Sequence, residues 1–219
     1  MMKKIAFVMA LSVTVTLSHA QDNQSDFKDE VRANLVFGLN QIALGGFNVE
    51  GNLFYKRLVF DYSHGFNLQF DNSILDDKNA DLGIDAEVVW TTGFGVGYRV
   101  NRWLNIRAEP KWHRFDIYDE GARKVSGNRL ATYRTFTMGL GAYANLLPFK
   151  NKENFLGNIM VAPSVRWWPQ VSSTLDNDEV DFLSAKRGEQ VIHEAMEVGF
   201  NNSPLIVNVS IGYTLEFGK

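Results

Sequence analysis

The chain has 219 residues, of which 45% are hydrophobic, with 22 Lys and Arg against 25 Asp and Glu and no cysteine. A net negative charge without basic clusters argues against a nucleic-acid partner, and the lack of cysteine argues against a disulfide-stapled secreted scaffold. The mean hydropathy is only −0.17. Beyond the N-terminus no apolar run approaches the roughly 20 residues that a membrane-spanning helix needs.

The first twenty residues follow the pattern of a secretory signal peptide. Lys3 and Lys4 precede an apolar stretch from Ile5 to Leu17, and small residues then stand at the −3 and −1 positions of Ser18–Ala20. This pattern predicts cleavage after residue 20. A buried N-terminal helix is the alternative, and the polar, aperiodic segment that follows at once disfavours it.

The sequence therefore divides into a signal peptide over 1–20, a short polar leader over 21–30 and a remaining region over 31–219. Without its two lysines at positions 3 and 4, the exported chain has 20 basic against 25 acidic residues and a net charge of −5. An exported protein without disulfides can still be stable as a closed barrel, because every backbone donor and acceptor of such a barrel is paired between strands.

Alternation of apolar and polar residues predicts three strands in the first part of the barrel region. They cover Val31–Leu39, Phe47–Tyr55 and Leu58–Phe70. A period of two is the signature of a strand, and the breaks at Asn40–Gly46 and Lys56–Arg57 predict the connections. The acidic segment Asp71–Glu87 is predicted to be a loop.

The fourth strand, Val88–Val100, shows the clearest alternation in the chain. One face carries Val88, Trp90, Thr92, Phe94, Val96, Tyr98 and Val100, and the other carries Val89, Thr91, Gly93, Gly95, Gly97 and Arg99. The polar face consists of small residues and one arginine, unlike the Lys and Glu of a soluble surface. Such a face suits the inside of a narrow barrel whose apolar face contacts lipid.

Four further strands follow. They are predicted over Leu104–His113, Thr135–Leu146, Ile159–Trp168 and Leu205–Phe217. Pro110 removes one backbone donor and predicts a local bulge. Asp119–Leu130 is a predicted loop, whereas the periodic middle of Ser172–Pro204 fits either a short helix or a strand extension. Eight strands with alternately short and long connections predict an all-β fold, an eight-stranded antiparallel up-and-down transmembrane β-barrel.

Alternation alone does not say which face points outward, since a soluble lipocalin-like barrel has its apolar side inside. Three features favour lipid outside: the small polar residues, aromatic residues at strand ends, and charges of both signs on the polar face. The aromatic positions are Tyr55, Tyr98, Trp103, Tyr213 and Phe217 on the turn side, and Phe70, Trp90, Trp112 and Trp167 on the loop side. The charged positions are Arg32, Arg99, Arg107, Lys111 and Arg166 against Glu50, Asp61, Glu109 and Glu216. Enclosed together, these charges are expected to form a structural lumen network, because an isolated buried charge is costly.

The signal peptide, the strand count, the glycine-spaced polar faces and the final strand make the chain similar to the small outer-membrane β-barrel proteins of Gram-negative bacteria. In that family the barrel-assembly machinery reads a terminal aromatic residue, for which Tyr213 and Phe217 are the candidates; Gly218 and Lys219 follow here. The resemblance implies localisation in the outer membrane, with residues 21–30 as a short periplasmic leader and residues 31–219 as the outer-membrane β-barrel. It also implies lipid, lipopolysaccharide and the assembly machinery as partners.

We predict no catalytic, cofactor-binding or metal-binding residues. Ser63 and His64 are adjacent in a strand and point to opposite faces, so they cannot form a nucleophile–base pair. His113 is expected within the lumen network, and His193 with nearby carboxylates is a weak metal signal. Two acidic clusters could bind divalent cations that bridge lipopolysaccharide phosphates, although solvated loops explain them better. The clusters are Asp76, Asp77, Asp81 and Asp85, and Asp176, Asp178, Glu179 and Asp181.

The predicted function is that of an integral outer-membrane barrel with a structural or surface-interaction role through its external loops. Eight strands leave an interior just filled by side chains, which disfavours general porin activity. A narrow pore or a carrier for small hydrophobic molecules is the alternative. A lipid-modifying enzyme and a soluble lipocalin-like binder are less favoured.

Overall fold

The computed structural model describes residue 27 and residues 31–71 and 74–217. The predicted signal peptide, most of the predicted leader and the last two residues lie outside this range. The strands are β1 (Val31–Gly38), β2 (Phe47–Tyr55), β3 (Leu58–Phe70), β4 (Ile84–Arg99), β5 (Leu104–Asp119), β6 (Arg129–Ala144), β7 (Ile159–Trp167), β8 (Gln170–Ser173), β9 (Glu179–Leu183), β10 (Gln190–Glu194) and β11 (Leu205–Phe217). The helices are α1 (Leu39–Ala43) and α2 (Asp77–Leu82), with 3₁₀ turns at Ser126–Asn128, Phe155–Asn158 and Asp176–Asp178.

Eight strands close into one antiparallel barrel. Their order is β1-β2-β3-β4-β5-β6-β7-β11, and β11 pairs again with β1. Apart from β7–β11 and the closing pair β11–β1, all neighbouring strands are consecutive in sequence, which makes this an up-and-down barrel. The short strand β8 continues the line of β7 beyond Trp168 and pairs with β6. The predicted fold class is confirmed.

The outside of the barrel is an apolar belt to which every barrel strand contributes. Representative side chains, 41–58% exposed, are Leu35, Leu53, Phe60, Phe94, Ile106, Leu140, Val165 and Ile211. A continuous apolar surface of this extent is the lipid-facing surface of a transmembrane barrel. The lipocalin-like alternative is wrong, because the apolar side chains lie outside and the polar ones inside.

No helix among the described residues has the length and apolar character to span a membrane.

The barrel is uneven in height. Strands β4, β5 and β6 have 16 residues each, whereas β1 has eight and β2 nine. The end with the turns at Lys56–Arg57 and Asn101–Trp103 is called the turn end, and the opposite end is called the loop end. At the loop end the three long strands extend past the others, and the hairpin β9–β10 occupies the predicted 172–204 loop. Strand four thus begins at Ile84, four residues before the predicted start, and strand five continues to Asp119.

Two neighbouring strands change phase near the loop end. Asn67 has a φ of 57°, and the register of β4 against β5 shifts between Val88 and Trp90. Beyond this level Leu68, Phe70 and Val88 pack into an interior cluster. The predictions that Val88 faces lipid and that Phe70 belongs to the loop-side aromatic positions are wrong, because one extra residue in a strand reverses the faces of all that follow.

The bulge predicted at Pro110 is not formed. Gly93 lies opposite Lys111 and Val96 opposite Ala108, so the register of β4 against β5 is the same on both sides of the proline. The pairing of β4 with β5 is interrupted beside Pro110, which has no backbone donor, and it resumes in the same register. The phase change lies instead at Val89.

Candidate functional site

The middle of the lumen contains a cluster of buried charges, called here the lumen network: Glu50, Asp61, Arg107, Glu109, Lys111 and Arg166. Arg107 lies at its centre and is 1% exposed. Its Nη1 donates to Glu50 Oε1 at 2.6 Å and to Asp61 Oδ2 at 3.3 Å, and its Nε donates to Asn105 at 2.7 Å. Since Glu50 is on β2 and Arg107 on β5, this contact crosses the lumen.

The other side of the lumen network centres on Glu109. Lys111 Nζ lies 3.2 Å from Glu109 Oε1. Glu109 Oε2 accepts from the Tyr143 hydroxyl and from Trp168 Nε1, the latter at 3.2 Å. Arg166 lies 3.8 Å from Glu50 and stacks 4.9 Å above the Tyr143 ring. Aromatic rings thus fill the space between the charged groups.

Glycines on β4 and β6 make room for these long side chains. A Cβ at Gly95 would come within 2.1 Å of an Asp61 carboxylate oxygen. A Cβ at Gly139 would come within 1.9 Å of the Trp168 ring. The glycine-spaced face of strand four, visible in the sequence, is therefore the surface against which the lumen network packs.

The lumen network is electrically balanced and buried. It has three cationic and three anionic side chains, exposed by no more than 5%. These side chains and the aromatic rings between them pack closely at this level of the lumen. Because unpaired buried charges are costly, the balance is what makes such an interior tenable.

His113 lies in the barrel interior beside the lumen network. Its Nδ1 is 2.8 Å from Thr91 Oγ1 and its Nε2 is 3.0 Å from Thr137 Oγ1. The ring centre lies 6.3 Å from that of Trp168. Both ring nitrogens are therefore occupied by hydroxyl partners.

The remaining charges of the predicted set lie near the turn end, away from the lumen network. The guanidinium of Arg99 lies 4.2 Å from the Phe27 ring, and that of Arg32 lies 4.4 Å from the Phe54 ring. Arg32 and Arg99 are buried, whereas Glu216 is exposed and lies opposite Arg32 in the register. Phe27, from the predicted leader, is 5% exposed and fills this end of the lumen.

The loop end of the interior is apolar and is covered by the hairpin β9–β10; this region is called here the cap. Its buried side chains are Leu82, Ile84, Ala86, Val88, Phe115, Ile117, Ala131, Tyr133, Phe182, Val191 and Met196. The rings of Phe115 and Tyr133 stack at 5.2 Å. Phe182 and Val191 come from the hairpin, which therefore closes the barrel mouth with its own apolar face.

One histidine is enclosed within the cap. His193 is 0% exposed; its Nε2 lies 3.1 Å from the Tyr133 hydroxyl and its Nδ1 lies 3.1 Å from Asn79 Oδ1. The Tyr133 hydroxyl accepts from Met196 N–H, and the Asn79 amide donates to Asp76. Tyr133 thus donates its proton to Nε2, and Asn79 Oδ1 accepts from Nδ1–H.

These bonds select the neutral form of His193. Burial, together with the nearby Lys78 ammonium, lowers the pKa of His193 from 6.5 to about 4. In the sequence, this histidine and its neighbouring carboxylates give only a weak metal signal. The alternation of Val191 and His193 against Gln190, Ile192 and Glu194 could have indicated a strand with a buried face.

Two acidic residues of the first predicted cluster have separate partners. Asp76 caps α2, and Asp85 accepts from the Gly121 N–H. Across residues 31–71 and 74–217, no three His, Asp or Glu side chains converge in a way that could hold a metal ion.

Tyr213 and Phe217, the candidate assembly signal, both lie on β11. Phe217 is 50% exposed and is paired with Val31, whereas Tyr213 is half-buried and is paired with Leu35 and Ile159. The Tyr213 hydroxyl accepts from the Asn158 amide at 3.4 Å.

Two solved structures are similar to this one. The first is the crystal structure of Ail, the attachment invasion locus protein of Yersinia pestis, with 10% identity, a TM-score of 0.38, and coverage of 86% of this chain and 99% of that chain. The second is a de novo designed transmembrane β-barrel, with 15% identity, a TM-score of 0.28, and coverage of 90% of this chain and 100% of that chain. No protein-family model and no curated protein matches the chain. The assignment of the fold rests on the strand pairing, the apolar belt and the polar lumen themselves.

Proposed function

We propose that the protein is exported to the outer membrane and acts there as a non-catalytic barrel with a closed lumen, in a structural or surface-interaction role. The observation that carries this proposal is the balanced, buried lumen network beneath a folded cap. A barrel closed at two levels is suited to presenting its loop end and poorly suited to passing solutes. In this orientation the turn end faces the periplasm, since short turns and both chain ends lie on that side in outer-membrane barrels.

Partners follow from the same placement. The apolar belt would contact lipid, and the loop end would lie among lipopolysaccharide headgroups. The last strand, with Phe217 half exposed at its end, would be the segment read by the barrel-assembly machinery. A catalytic role has less support, because Ser63 points into the lumen and is 4% exposed while His64 lies on the opposite face of the same strand.

The first test is refolding of the chain from Gln21 in detergent, followed by gel mobility with and without boiling, circular dichroism and planar-bilayer conductance. We expect a boiling-dependent shift, a β-rich spectrum and no steady conductance. Trp168→Ala is the companion variant in the conductance measurement, because removal of this ring opens space beside Glu109 in the lumen. Steady conductance from the unaltered barrel would establish the narrow-pore alternative. Recovery of the expressed full-length chain outside the outer-membrane fraction would refute the proposed location.

A further inference from the structure

We propose that Arg114 and Arg134, on the outer surface just beyond the apolar belt, bind the phosphate group of an outer-leaflet lipid. This inference deepens the proposed function, because it rests on the membrane placement of the barrel. It assigns a defined anion site to one side of the barrel.

The location of the two arginines matches the headgroup level. Arg114 follows the outward-facing Trp112 by two residues on β5, and Arg134 precedes Phe136 by two residues on β6. The rings of Trp112 and Phe136 lie 5.2 Å apart and form part of the aromatic edge of the belt. Two residues of a tilted strand rise about 5 Å along the barrel axis, which places both guanidinium groups just outside the hydrocarbon region.

The two arginines are directly opposite each other in the β5–β6 register. Like charges in this arrangement destabilise a sheet unless an anion lies between or beside them. Arg114 Nε is 3.3 Å from Asp116 Oδ1, but Asp116 also pairs with Arg129 at 2.8 Å and accepts from Thr132 at 2.6 Å. Within the described part of the chain, the Arg134 guanidinium has no acidic partner. The three guanidinium groups of Arg114, Arg129 and Arg134 thus have Asp116 as their single ion-paired carboxylate among the described residues, so the surface keeps an excess of positive charge.

An open cleft lies between the arginines and β8. It has a volume of about 370 Å³ and is lined by Arg114, Thr132, Tyr133, Arg134 and Thr174. Two hydrogen bonds connect Arg134 and Thr174, which both line the cleft. Arg134 N–H donates to Thr174 Oγ1 at 3.0 Å, and Thr174 N–H donates to the Arg134 carbonyl at 2.9 Å. The cleft can accommodate a phosphate with the start of its acyl anchor.

Phosphate is the anion that this chemistry suits best. A guanidinium group is planar, stays charged and can donate two parallel hydrogen bonds to phosphate oxygens. A phosphate monoester with close to two negative charges would neutralise the unpaired Arg134 and relieve the repulsion with Arg114. Its acyl chains would lie against the aromatic edge formed by Trp112 and Phe136.

The test measures binding of dihexanoyl phosphatidic acid to the barrel in zwitterionic micelles, by titration calorimetry. Arg114→Gln/Arg134→Gln is compared with Arg123→Gln/Lys152→Gln, which removes an equal charge from two exposed loop positions. We expect at least about tenfold weaker binding for the double variant and a change within about twofold for the control. Each single variant should fall between them.

Three further arms separate the outcomes. Equal affinity in the double variant and the unaltered barrel would overturn the lipid site. Competition by inorganic phosphate at the same concentration as the lipid would show a site for soluble phosphate and would also overturn it. Equal binding of phosphatidylcholine would show that the barrel recognises only the acyl chains, and it would also overturn the phosphate site. Boiling-dependent gel mobility, measured on the same samples, distinguishes this failure from a failure of the membrane placement: a chain that forms no barrel refutes both proposals.

Discussion

The lumen network and the cap fill the same barrel in opposite ways. The lumen network lies within the membrane-spanning part, where the outer face takes the apolar residues and the interior is filled by long polar side chains that pair across it. The cap lies where β4, β5 and β6 extend past the other strands, and there an apolar interior face is covered by a hairpin from elsewhere in the chain.

The two regions are held together by different forces. In the lumen network each charge lies near an opposite charge, on another strand for Arg107 and Arg166 and on the same strand for Lys111 and Glu109, so the loss of one partner leaves a buried charge unpaired. In the cap the contacts are apolar and one side of them is a hairpin, which can detach while the barrel stays closed. The lumen network is therefore expected to follow global unfolding, whereas the cap can open locally.

The largest effect is expected from Arg107→Met, which removes the central cation of the lumen network. The substitution keeps much of the volume but leaves Glu50 and Asp61 without their central cation. We expect a loss of about 3–5 kcal/mol in the free energy of unfolding, measured by urea titration of the barrel in lipid vesicles.

Its matched control adds Glu50→Gln and Asp61→Asn to the same variant, which removes the uncompensated charges. Part of the lost stability should return in this triple variant. A loss below about 1 kcal/mol for Arg107→Met alone would contradict the central role of this arginine.

A smaller global effect is expected from Phe182→Ala in the hairpin, where the ring is 7% exposed. The cavity should weaken hairpin docking by about 3 kcal/mol while the barrel remains closed. Trypsin reports the opening, because Lys186 and Arg187 lie at the hairpin tip and bond to the Ala80 and Asp81 carbonyls in the docked state. We expect faster cleavage there with an unchanged boiling-dependent gel shift.

Leu183→Ala is the control for that experiment, since this neighbouring side chain is 58% exposed and points away from the cap. Its cleavage rate should match that of the unaltered protein. If Phe182→Ala abolished the gel shift, the cap and the barrel would be one cooperative unit and the distinction drawn above would be wrong.

The smallest effect is expected from pH. Burial and Lys78 lower the pKa of His193 to about 4, against partial compensation from Asp76 and Glu194. His193 therefore binds a proton more readily in the undocked hairpin than in the docked hairpin. The contribution of neutral His193 to docking is complete above about pH 6.5 and is lost as pH falls towards 4, by up to about 2–3 kcal/mol.

Amide hydrogen exchange across β9 and β10, corrected for intrinsic rates, measures this effect. Protection should fall between pH 7 and pH 4.5 in the unaltered protein and change less in His193→Phe. Lys78→Gln should reduce the fall slightly, because it removes a cation that lowers the pKa of His193. Equal protection of the unaltered hairpin at both pH values would contradict this account.

Much of the barrel could be predicted because a strand needs only a period of two to be recognised. The bounds of β2, β3 and β11 were predicted to the residue, and so was the crowded, glycine-lined face of β4. Glu50, Asp61, Arg107, Glu109, Lys111 and Arg166 could be placed on the inner face for the same reason. Their faces follow from alternation, which is a local property of the sequence.

The cap could not be predicted in the same way. The left-handed Asn67 and the irregularity at Val89 reverse the faces of two strands, and neither residue type requires this by itself. The hairpin β9–β10 that covers the loop end follows α2, on which it packs, by about 100 residues. Its polar, weakly periodic sequence fitted more than one structure.

The local alternation of residues was thus enough to predict the strand count, the apolar outer face and most of the residues that line the lumen. Which charges meet depends on the tertiary structure, since Arg32, Arg99 and Glu216 share the predicted face but lie at another level of the barrel. It also decided that the loop end is covered and that Arg114 and Arg134 are neighbours. Alternation specifies the face of a side chain, whereas its height and its partners depend on the stagger between strands that are distant in sequence.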